Sequence, residues 1–249
     1  MLGLGNSLIQ TGLFSTSLVS EYSISLDGTG DYLSFTETAF QISTSKHNLS
    51  ISFWAKRDGT GTLDTVLSNI NNSYRRLTFL ADGASLFIES DTNGQAGEGD
   101  VTADTNWHHY VVTSQGRDSN ESILAWYEDG DPVADDGNQG FGLDPNGAFT
   151  INAIGFPNAT SNLGFDGLLY QMAIFNTVLS PDSVTAMYNN GTPIPLQTNK
   201  GDYTAQNSLL HLWRFSENTG TTTADDIGGL TATFAGNTAF STEIPTDDL

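Results

Sequence analysis

The sequence predicts an all-β protein in which two antiparallel sheets form a sandwich. Short stretches of alternating apolar and polar residues recur along the chain, and clusters of Gly, Asn and Asp separate them. Only one stretch, LSPDSVTAMYNNG, has the start and stop signals of a helix. A chain of 249 residues is long enough for one large sandwich, so we expect a single main domain.

The first strands are predicted at 25–35 and 49–55, and a polar turn is predicted at 56–59. In SLDGTGDYLSF the apolar positions flank two Gly-bearing turns, which is typical of antiparallel strands. In LSISFWA apolar residues alternate with Ser50, Ser52 and Trp54, so one face of this strand is expected in the core and the other in a wetter environment. Further strands are predicted at 77–80, 85–88, 110–113, 123–127, 149–154 and 168–175.

Three Asp-Gly pairs, at 27–28, 129–130 and 166–167, are interpreted as turns. Asp tolerates unusual backbone angles, and Gly lacks the Cβ that restricts them. Carboxylates in loops are also calcium ligands, but the turn interpretation is the simpler one for each pair.

The helix is predicted to begin after Ser180, with Pro181 in its first turn and Asp182 favoured by the helix dipole. Asn190-Gly191 is expected to end it. The later stretch LLHLWRF is interpreted as a strand that returns to the same sandwich, so residues 195–249 belong to the main domain, which spans 21–249.

Residues 1–20 differ from this pattern, because their apolar residues follow neither a helical nor a strand period. We interpret them as an arm that docks on a partner or on another copy of the chain. The apolar residues that would make the contact are Leu4, Leu8, Ile9, Leu13 and Phe14.

The order of these motifs, followed by FDGLLYQMAIFNTVLSPDSV, resembles the laminin-G/pentraxin-like group of concanavalin A-type jelly rolls. The resemblance covers roughly residues 22–215 and implies a jelly-roll β-sandwich of lectin type. The calcium loop of pentraxins would correspond to IGFPNATSNLGF, which contains no carboxylate. Tyr170-Gln171 stands where many relatives carry an acidic pair, so the acidic roles of the family do not transfer to these positions.

Composition argues against several classes of function. Eight Lys and Arg against 29 Asp and Glu give a net charge of −21, which should repel nucleic acids and anionic membranes. Cys is absent, so thiolate chemistry and disulfides are excluded. No apolar stretch is long enough to cross a bilayer, and the start of the chain lacks the basic region of a signal peptide.

Catalytic signatures are weak, and we predict no enzyme activity. Glu89 and Asp91 lie two apart on a strand, as paired carboxylates of a glycosidase would, but Asn93-Gly94 follows where a further acid is expected. His108 and His109 point to opposite faces of a strand, so one is expected to be packed and one exposed. Polysaccharide hydrolysis stays open as an alternative.

Two kinds of ligand site are predicted instead. For a glycan, the candidate aromatic residues are Tyr74, Trp126 and Tyr127, and one ring of the adjacent pair 126–127 is expected to be exposed. For calcium, the candidate is the acidic loop ADDGNQGFGLDPNG. Its candidate ligands are Asp135, Asp136, Asn138 and Asp144.

The start MLGLGNSLIQTG, running directly into a jelly-roll motif, resembles virion proteins of marine bacteriophages that carry this domain. The resemblance implies a non-enzymatic head-decoration or tail-associated protein, made in the host cytoplasm and carried on the virion. Its expected partners are other virion proteins, further copies of itself and a host-surface glycan. The alternative is a soluble carbohydrate-binding lectin, with calcium as its candidate cofactor.

Overall fold

A computed structural model describes residues 19–35, 40–42, 48–91, 94–116, 122–135, 149–156 and 163–248. Most of them lie in β-strands, and the described part contains one α-helix, α1 (Pro181–Tyr188). Three short 3-10 turns lie at Asn189–Gly191, Gln206–Ser208 and Pro245–Asp248. The strands are β1 (Ser23–Asp27), β2 (Tyr32–Phe35), β3 (Phe40–Ile42), β4 (Leu49–Arg57), β5 (Asp64–Asn69), β6 (Asn72–Phe79), β7 (Ser85–Asp91), β8 (Gly94–Asp100), β9 (His108–Gly116), β10 (Ser122–Glu128), β11 (Asp131–Pro132), β12 (Phe149–Ile151), β13 (Ala153–Gly155), β14 (Asp166–Phe175), β15 (Leu209–Trp213), β16 (Thr222–Thr223), β17 (Ala232–Ala235) and β18 (Ala239–Ser241).

The strands form two large antiparallel sheets. Sheet A has the order β11-β10-β9-β4-β14-β1-β18, and β15 also pairs with β14. Sheet B has the order β16-β17-β2-β13-β5-β6-β7-β8. A separate ladder joins β12 to β3. Neighbours in each sheet are often distant in sequence, as in a jelly roll, so the predicted all-β sandwich is confirmed.

The main hydrophobic core lies between the two sheets. Alternate residues of each strand point into it, because side chains alternate across a strand. Its members include Phe53, Tyr110, Trp126 and Leu169 from sheet A and Leu33, Leu77, Phe79, Ile88 and Ile154 from sheet B. Trp213 of β15 packs here against Phe35, with ring centroids 4.8 Å apart. β15, which comes from the LLHLWRF stretch, thus pairs with β14 and packs on this core.

A second apolar layer covers the outer face of sheet A. Val184 and Met187 of α1, together with Ile194, Leu196 and Tyr203 after it, pack on the outward side chains of sheet A. Those outward side chains are Val111, Tyr127, Ala173, Phe175 and Leu212. Gln171 has a left-handed backbone at a bulge in β14, and its Nε2 donates to the Ile194 carbonyl at 2.8 Å. This bulge ties the segment that follows α1 to the sheet.

The expectation that β4 has one wetter face is wrong. All its residues except Lys56 are buried, because α1, the segments next to it and an aromatic cluster cover the outer face. Ser50 fits this dry environment by donating to the Thr177 carbonyl and accepting from the Leu179 amide. Ser52 bonds His109 Nε2 at 2.9 Å.

Two of the three predicted Asp-Gly turns are confirmed. Asp129 and Gly130 both have positive φ, 52° and 86°, in the tight hairpin between β10 and β11. Gly28, with φ 74°, begins the connection between β1 and β2. Asp166 and Gly167 instead begin the long strand β14. Gly167 is required there because a Cβ would collide with the Lys56 carbonyl of the neighbouring strand.

The predicted helix is confirmed with its cap. Ser180 Oγ accepts from the Ser183 amide at 3.2 Å, and Pro181 occupies the first turn. Asn189 takes a left-handed conformation at the end of the helix, one residue before the predicted stop at Asn190-Gly191. None of the described helices is long and apolar enough to span a membrane. The arm residues Leu4, Leu8, Ile9, Leu13 and Phe14 lie outside the described residues, so their docking role stays a prediction.

Candidate functional site

The outer face of sheet B carries the polar cluster that we take as the candidate site. Arg76 of β6 lies directly opposite Glu89 of β7, and its Nε donates to Glu89 Oε2 at 3.0 Å. Leu77 and Ile88, the next residues of the same strands, point into the core. The Arg76–Glu89 pair therefore faces away from the core.

This ion pair is fixed and partly exposed. Its side chains retain 16% and 12% of their accessible surface. Burial raises the pKa of Glu89, although the charge of Arg76 and the hydrogen bond from Arg76 act in the opposite direction. A planar guanidinium and a carboxylate held in this way offer both donors and acceptors to a ligand.

A second group of polar side chains lies at the end of sheet B where β5 turns into β6. Asn69 Nδ2 donates to Thr150 Oγ1 at 2.6 Å and to the Thr150 carbonyl at 2.9 Å. Arg75 Nη1 also donates to Thr150 Oγ1, at 3.0 Å, and its Nε has no partner. Because Arg75 directly precedes Arg76 on β6, its side chain leaves the strand on the side opposite to the ion pair. We therefore take only Arg76 and Glu89, on the outer face of sheet B, as the polar patch.

The aromatic glycan residues are not where the sequence predicts them. Trp126 lies between the sheets with 2% of its surface exposed, and Tyr127 points to the outer face of sheet A with 8% exposed. The two rings do face opposite ways, but α1 and the segment after it cover the second one. The expectation that one of them is exposed is therefore wrong. Tyr74 lies in β6 two residues before Arg76; its side chain is outside the description, and its role stays a prediction.

The predicted calcium loop is described only at its start. Asp135 forms an isolated β-bridge with Gly99. Asp136, Asn138 and Asp144 lie outside the described residues, so this site stays a prediction. Among the residues that the structure describes, no three His, Asp or Glu side chains are grouped so that they could hold a metal ion.

Glu89 and His109, two of the candidate residues for catalysis, have structural partners. Glu89 belongs to the ion pair with Arg76; Asp91 ends β7, and its side chain is not described. His109 is packed as expected: it is 2% exposed, and burial lowers its pKa to about 4 although the charge of Asp129 favours the protonated ring.

His108 is not the exposed member of the pair, because acidic side chains surround it. Its Nδ1 contacts Asp129 Oδ2 at 2.7 Å and its Nε2 contacts Asp104 Oδ1 at 3.0 Å. Burial alone would lower its pKa, but the bond and charge of Asp129, with Glu128 and Asp104, raise the pKa to about 9. The imidazolium is thus a structural cation at neutral pH.

Comparison with known proteins places the chain in a family. The Laminin_G_3 profile, of the concanavalin A-like lectin/glucanases superfamily, matches residues 27–185. The chain belongs to this family. The resemblance to the laminin-G/pentraxin-like group is thereby confirmed over most of its predicted extent.

Solved structures show the same fold. A proposed carbohydrate-binding protein from Bacteroides ovatus is similar with a TM-score of 0.57 at 14% identity, over 90% of this chain and 60% of that one. The chain thus spans about 60% of the length of the Bacteroides protein. The heptameric SAP-like pentraxin from Limulus polyphemus is similar with a TM-score of 0.52 at 13% identity, over 89% of this chain and 98% of that one. No curated protein matches the sequence.

Sequence reasoning missed the polar patch. Its two members come from β6 and β7, so no short motif contains them. The available signal was the adjacent pair Arg75-Arg76, two of only eight basic residues in the chain. In a protein of net charge −21, two arginines together on one strand are unusual enough to be singled out.

Proposed function

We propose that this protein is a lectin-like module that binds carbohydrate through the polar patch. The observation that carries the proposal is the Arg76–Glu89 pair, held at 3.0 Å on the outer face of sheet B. Sugar hydroxyls both donate and accept hydrogen bonds, so a fixed guanidinium and carboxylate suit them. The fold shared with a proposed carbohydrate-binding protein supports the same function.

The test is binding of the full chain to a panel of polysaccharides that includes laminarin, agarose and carrageenan. Arg76→Gln and Glu89→Gln each remove one charge of the pair and retain most of the side-chain volume. We expect either change to weaken binding by about tenfold or more, because hydrogen bonds to charged groups are the strong ones.

Lys200→Gln and Glu21→Gln are the matched controls, since both side chains are exposed and away from the patch. They should bind as the wild type does. Wild-type binding to none of the panel, or equal binding by the patch variants and the controls, would refute the proposal.

Binding without hydrolysis is part of this proposal. Glu89 is engaged by Arg76, whereas a glycosidase needs two carboxyl groups about 5 Å apart or more, placed on either side of the bond to be cleaved. We expect no release of reducing sugars from the same polysaccharides. Release that disappears in Glu89→Gln would establish the hydrolase alternative instead.

A virion role is the second candidate, and the position of Val19 defines the face at which residues 1–18 join the domain. Val19 and Ile244 pack on Trp54, Trp107 and Tyr170, which lie on the outer face of sheet A. This face is opposite to the polar patch. A protein attached to a phage head or tail through residues 1–18 would therefore present its patch outward, towards a host-surface glycan.

The test of the virion role is a truncation of residues 1–18. It should stop there, because the Tyr170 hydroxyl donates to the Ser20 carbonyl at 2.9 Å and Ser20 Oγ donates to the Phe215 carbonyl. We expect the truncated chain to keep glycan binding but to lose incorporation into particles. It should also lose self-association, which light scattering measures as the mass in solution. Full incorporation of the truncated chain would rule out docking through the arm.

A further inference from the structure

The polar patch carries no net charge, because its two side chains compensate each other. Arg76 Nε donates to Glu89 Oε2 at 3.0 Å, and the side chains retain 16% and 12% of their accessible surface. A ligand group that reaches the exposed part of the guanidinium therefore also lies close to the carboxylate. A hydroxyl can use both, since it accepts from the guanidinium and donates to the carboxylate. A sulfate or carboxylate group is repelled by Glu89.

The other charges on this face of sheet B are negative. Gly97 and Gly99 of β8 face the core, where an added Cβ would collide with side chains of β10. Glu98 and Asp100 alternate with these glycines, so they lie on the outer face, on the same side of the sheet as the patch. Among the described side chains on the strands of this face, Arg76 is thus the single cation, and Glu89 already neutralises it.

The remaining basic side chains that the structure describes are engaged elsewhere or lie on another face. They are Lys56, Arg57, Arg75, Lys200 and Arg214. Lys56 and Arg214 form ion pairs with acidic side chains, and Arg57 and Arg75 donate to neutral oxygens. Lys200 is exposed, but it belongs to the segment after α1, which packs on sheet A. None of these described cations can therefore neutralise an anionic ligand at the patch.

The charge of the whole chain acts in the same direction. Eight basic residues against 29 acidic ones give a net charge of −21. A polyanion that approaches such a surface meets a potential of its own sign. Salt screens this repulsion over about 8 Å at physiological ionic strength, so the carboxylates on the face itself matter most. A neutral polysaccharide experiences no such repulsion.

We propose that the polar patch is specific for neutral polysaccharides and excludes sulfated and carboxylated ones. This inference rests on the proposed carbohydrate binding and names its substrate class. Neighbouring hydroxyls of a neutral sugar can accept from Arg76 and donate to Glu89 at the same time. A sulfate ester or an ionised carboxylate offers acceptors only, so it could satisfy Arg76 only by competing with Glu89.

The first test compares binding of the full chain to the neutral polysaccharides agarose and laminarin and to the anionic ones carrageenan and alginate. Agarose and carrageenan form the sharpest pair, because both are galactans and only the second is heavily sulfated. We expect the better-bound neutral polysaccharide to bind at least about tenfold more tightly than either anionic one, since like charges in contact are costly. Its affinity should change less than about twofold between about 0.05 M and 0.5 M NaCl.

The second test reverses the charge balance of the patch. Glu89→Gln retains the side-chain volume and leaves the Arg76 guanidinium without its carboxylate. The affinity for carrageenan, relative to that for the better-bound neutral polysaccharide, should then rise at least about tenfold. Arg76→Gln removes the cation and should not raise this ratio. Glu21→Gln makes the same charge change as Glu89→Gln at an exposed position away from the patch, and it should leave the ratio unchanged.

The outcomes separate this inference from the proposed function. Wild-type binding to no member of the panel would refute carbohydrate binding and the neutral specificity with it. Wild-type binding to carrageenan or alginate as tight as to the neutral polysaccharides would overturn the neutral specificity and leave carbohydrate binding standing. An equal rise of the ratio in Glu89→Gln and Glu21→Gln would also overturn it, because the charge of the whole molecule would then set the preference.

Discussion

The two sheets of the sandwich differ in what lies on their outer faces. The outer face of sheet A is dry: α1 and the segment after it cover one part, and Trp54, Trp107 and Tyr170 form an aromatic cluster on another. The outer face of sheet B carries the polar patch, in which Arg76 and Glu89 hold one another. The difference teaches that strands of sheet A with two buried faces serve the core on both sides, whereas sheet B leaves charged side chains on its outer face.

The largest effect is expected from Trp54→Ala on the outer face of sheet A. Trp54 is 1% exposed, stacks on Tyr188 at 5.8 Å and lies 4.9 Å from His109. Its removal should lower the free energy of unfolding by about 3–5 kcal/mol, as for other large aromatic residues in a core. Urea unfolding measures this. A loss below about 1 kcal/mol would show that this face is not part of the core.

The neighbouring histidines give the next largest effect, and it depends on pH. The folded-state pKa of His109 is lowered to about 4 from an ordinary 6.5. Its contribution to the free energy of unfolding is therefore present above pH 6.5 and is lost as the pH falls towards 4. The folded-state pKa of His108 is raised to about 9, so its contribution to the free energy of unfolding is present below pH 6.5 and is lost as the pH rises through 9.

Each histidine should therefore contribute about 3 kcal/mol at most, over opposite pH ranges. In urea unfolding, the free energy of unfolding of His109→Gln should fall less between pH 6.5 and pH 4 than that of the wild type. The free energy of unfolding of His108→Gln should fall less than that of the wild type between pH 6.5 and pH 9. Identical pH slopes in the wild type and both variants would contradict the assigned environments.

The cap of α1 tests how firmly the helix covers sheet A. Ser180→Ala removes the side chain that accepts from the Ser183 amide and should cost about 1 kcal/mol of unfolding free energy. Ser180→Asp, which can cap as well, is the matched control and should cost little. Equal losses in both variants would mean that the cap bond is not the stabilising contact.

The smallest effect on stability is expected in the polar patch. Arg76→Gln breaks an ion pair that is partly exposed, and such pairs contribute up to about 1 kcal/mol. The free energy of unfolding should change by no more than this, whereas glycan binding should fall at least about tenfold. A change in unfolding free energy as large as that of Trp54→Ala would make the patch a structural feature rather than a binding site.

Much of the fold could be predicted because local signals carry it. Ser180, Pro181 and the residues near Asn189 fix the helix, and the alternating stretches with their Gly-bearing turns fix most strands. The errors about Tyr127 and β4 share one cause, which is the cover on sheet A. Tyr127 and the outward residues of β4 point away from the main core as predicted, but α1 and the segments next to it bury them.

The candidate site could not be predicted in the same way. Arg76 and Glu89 become neighbours only through the register of β6 with β7. That register depends on the pairing of whole strands, which no short stretch of sequence displays.

The sequence by itself determined the all-β class, the single helix with its cap and the family, because periodicity, turn chemistry and motif order are local properties of the chain. Only the tertiary structure decided which faces are covered and which charges are paired. Those properties depend on strand register and on the packing of distant segments, and a change of one residue in register would move every side chain to the other face.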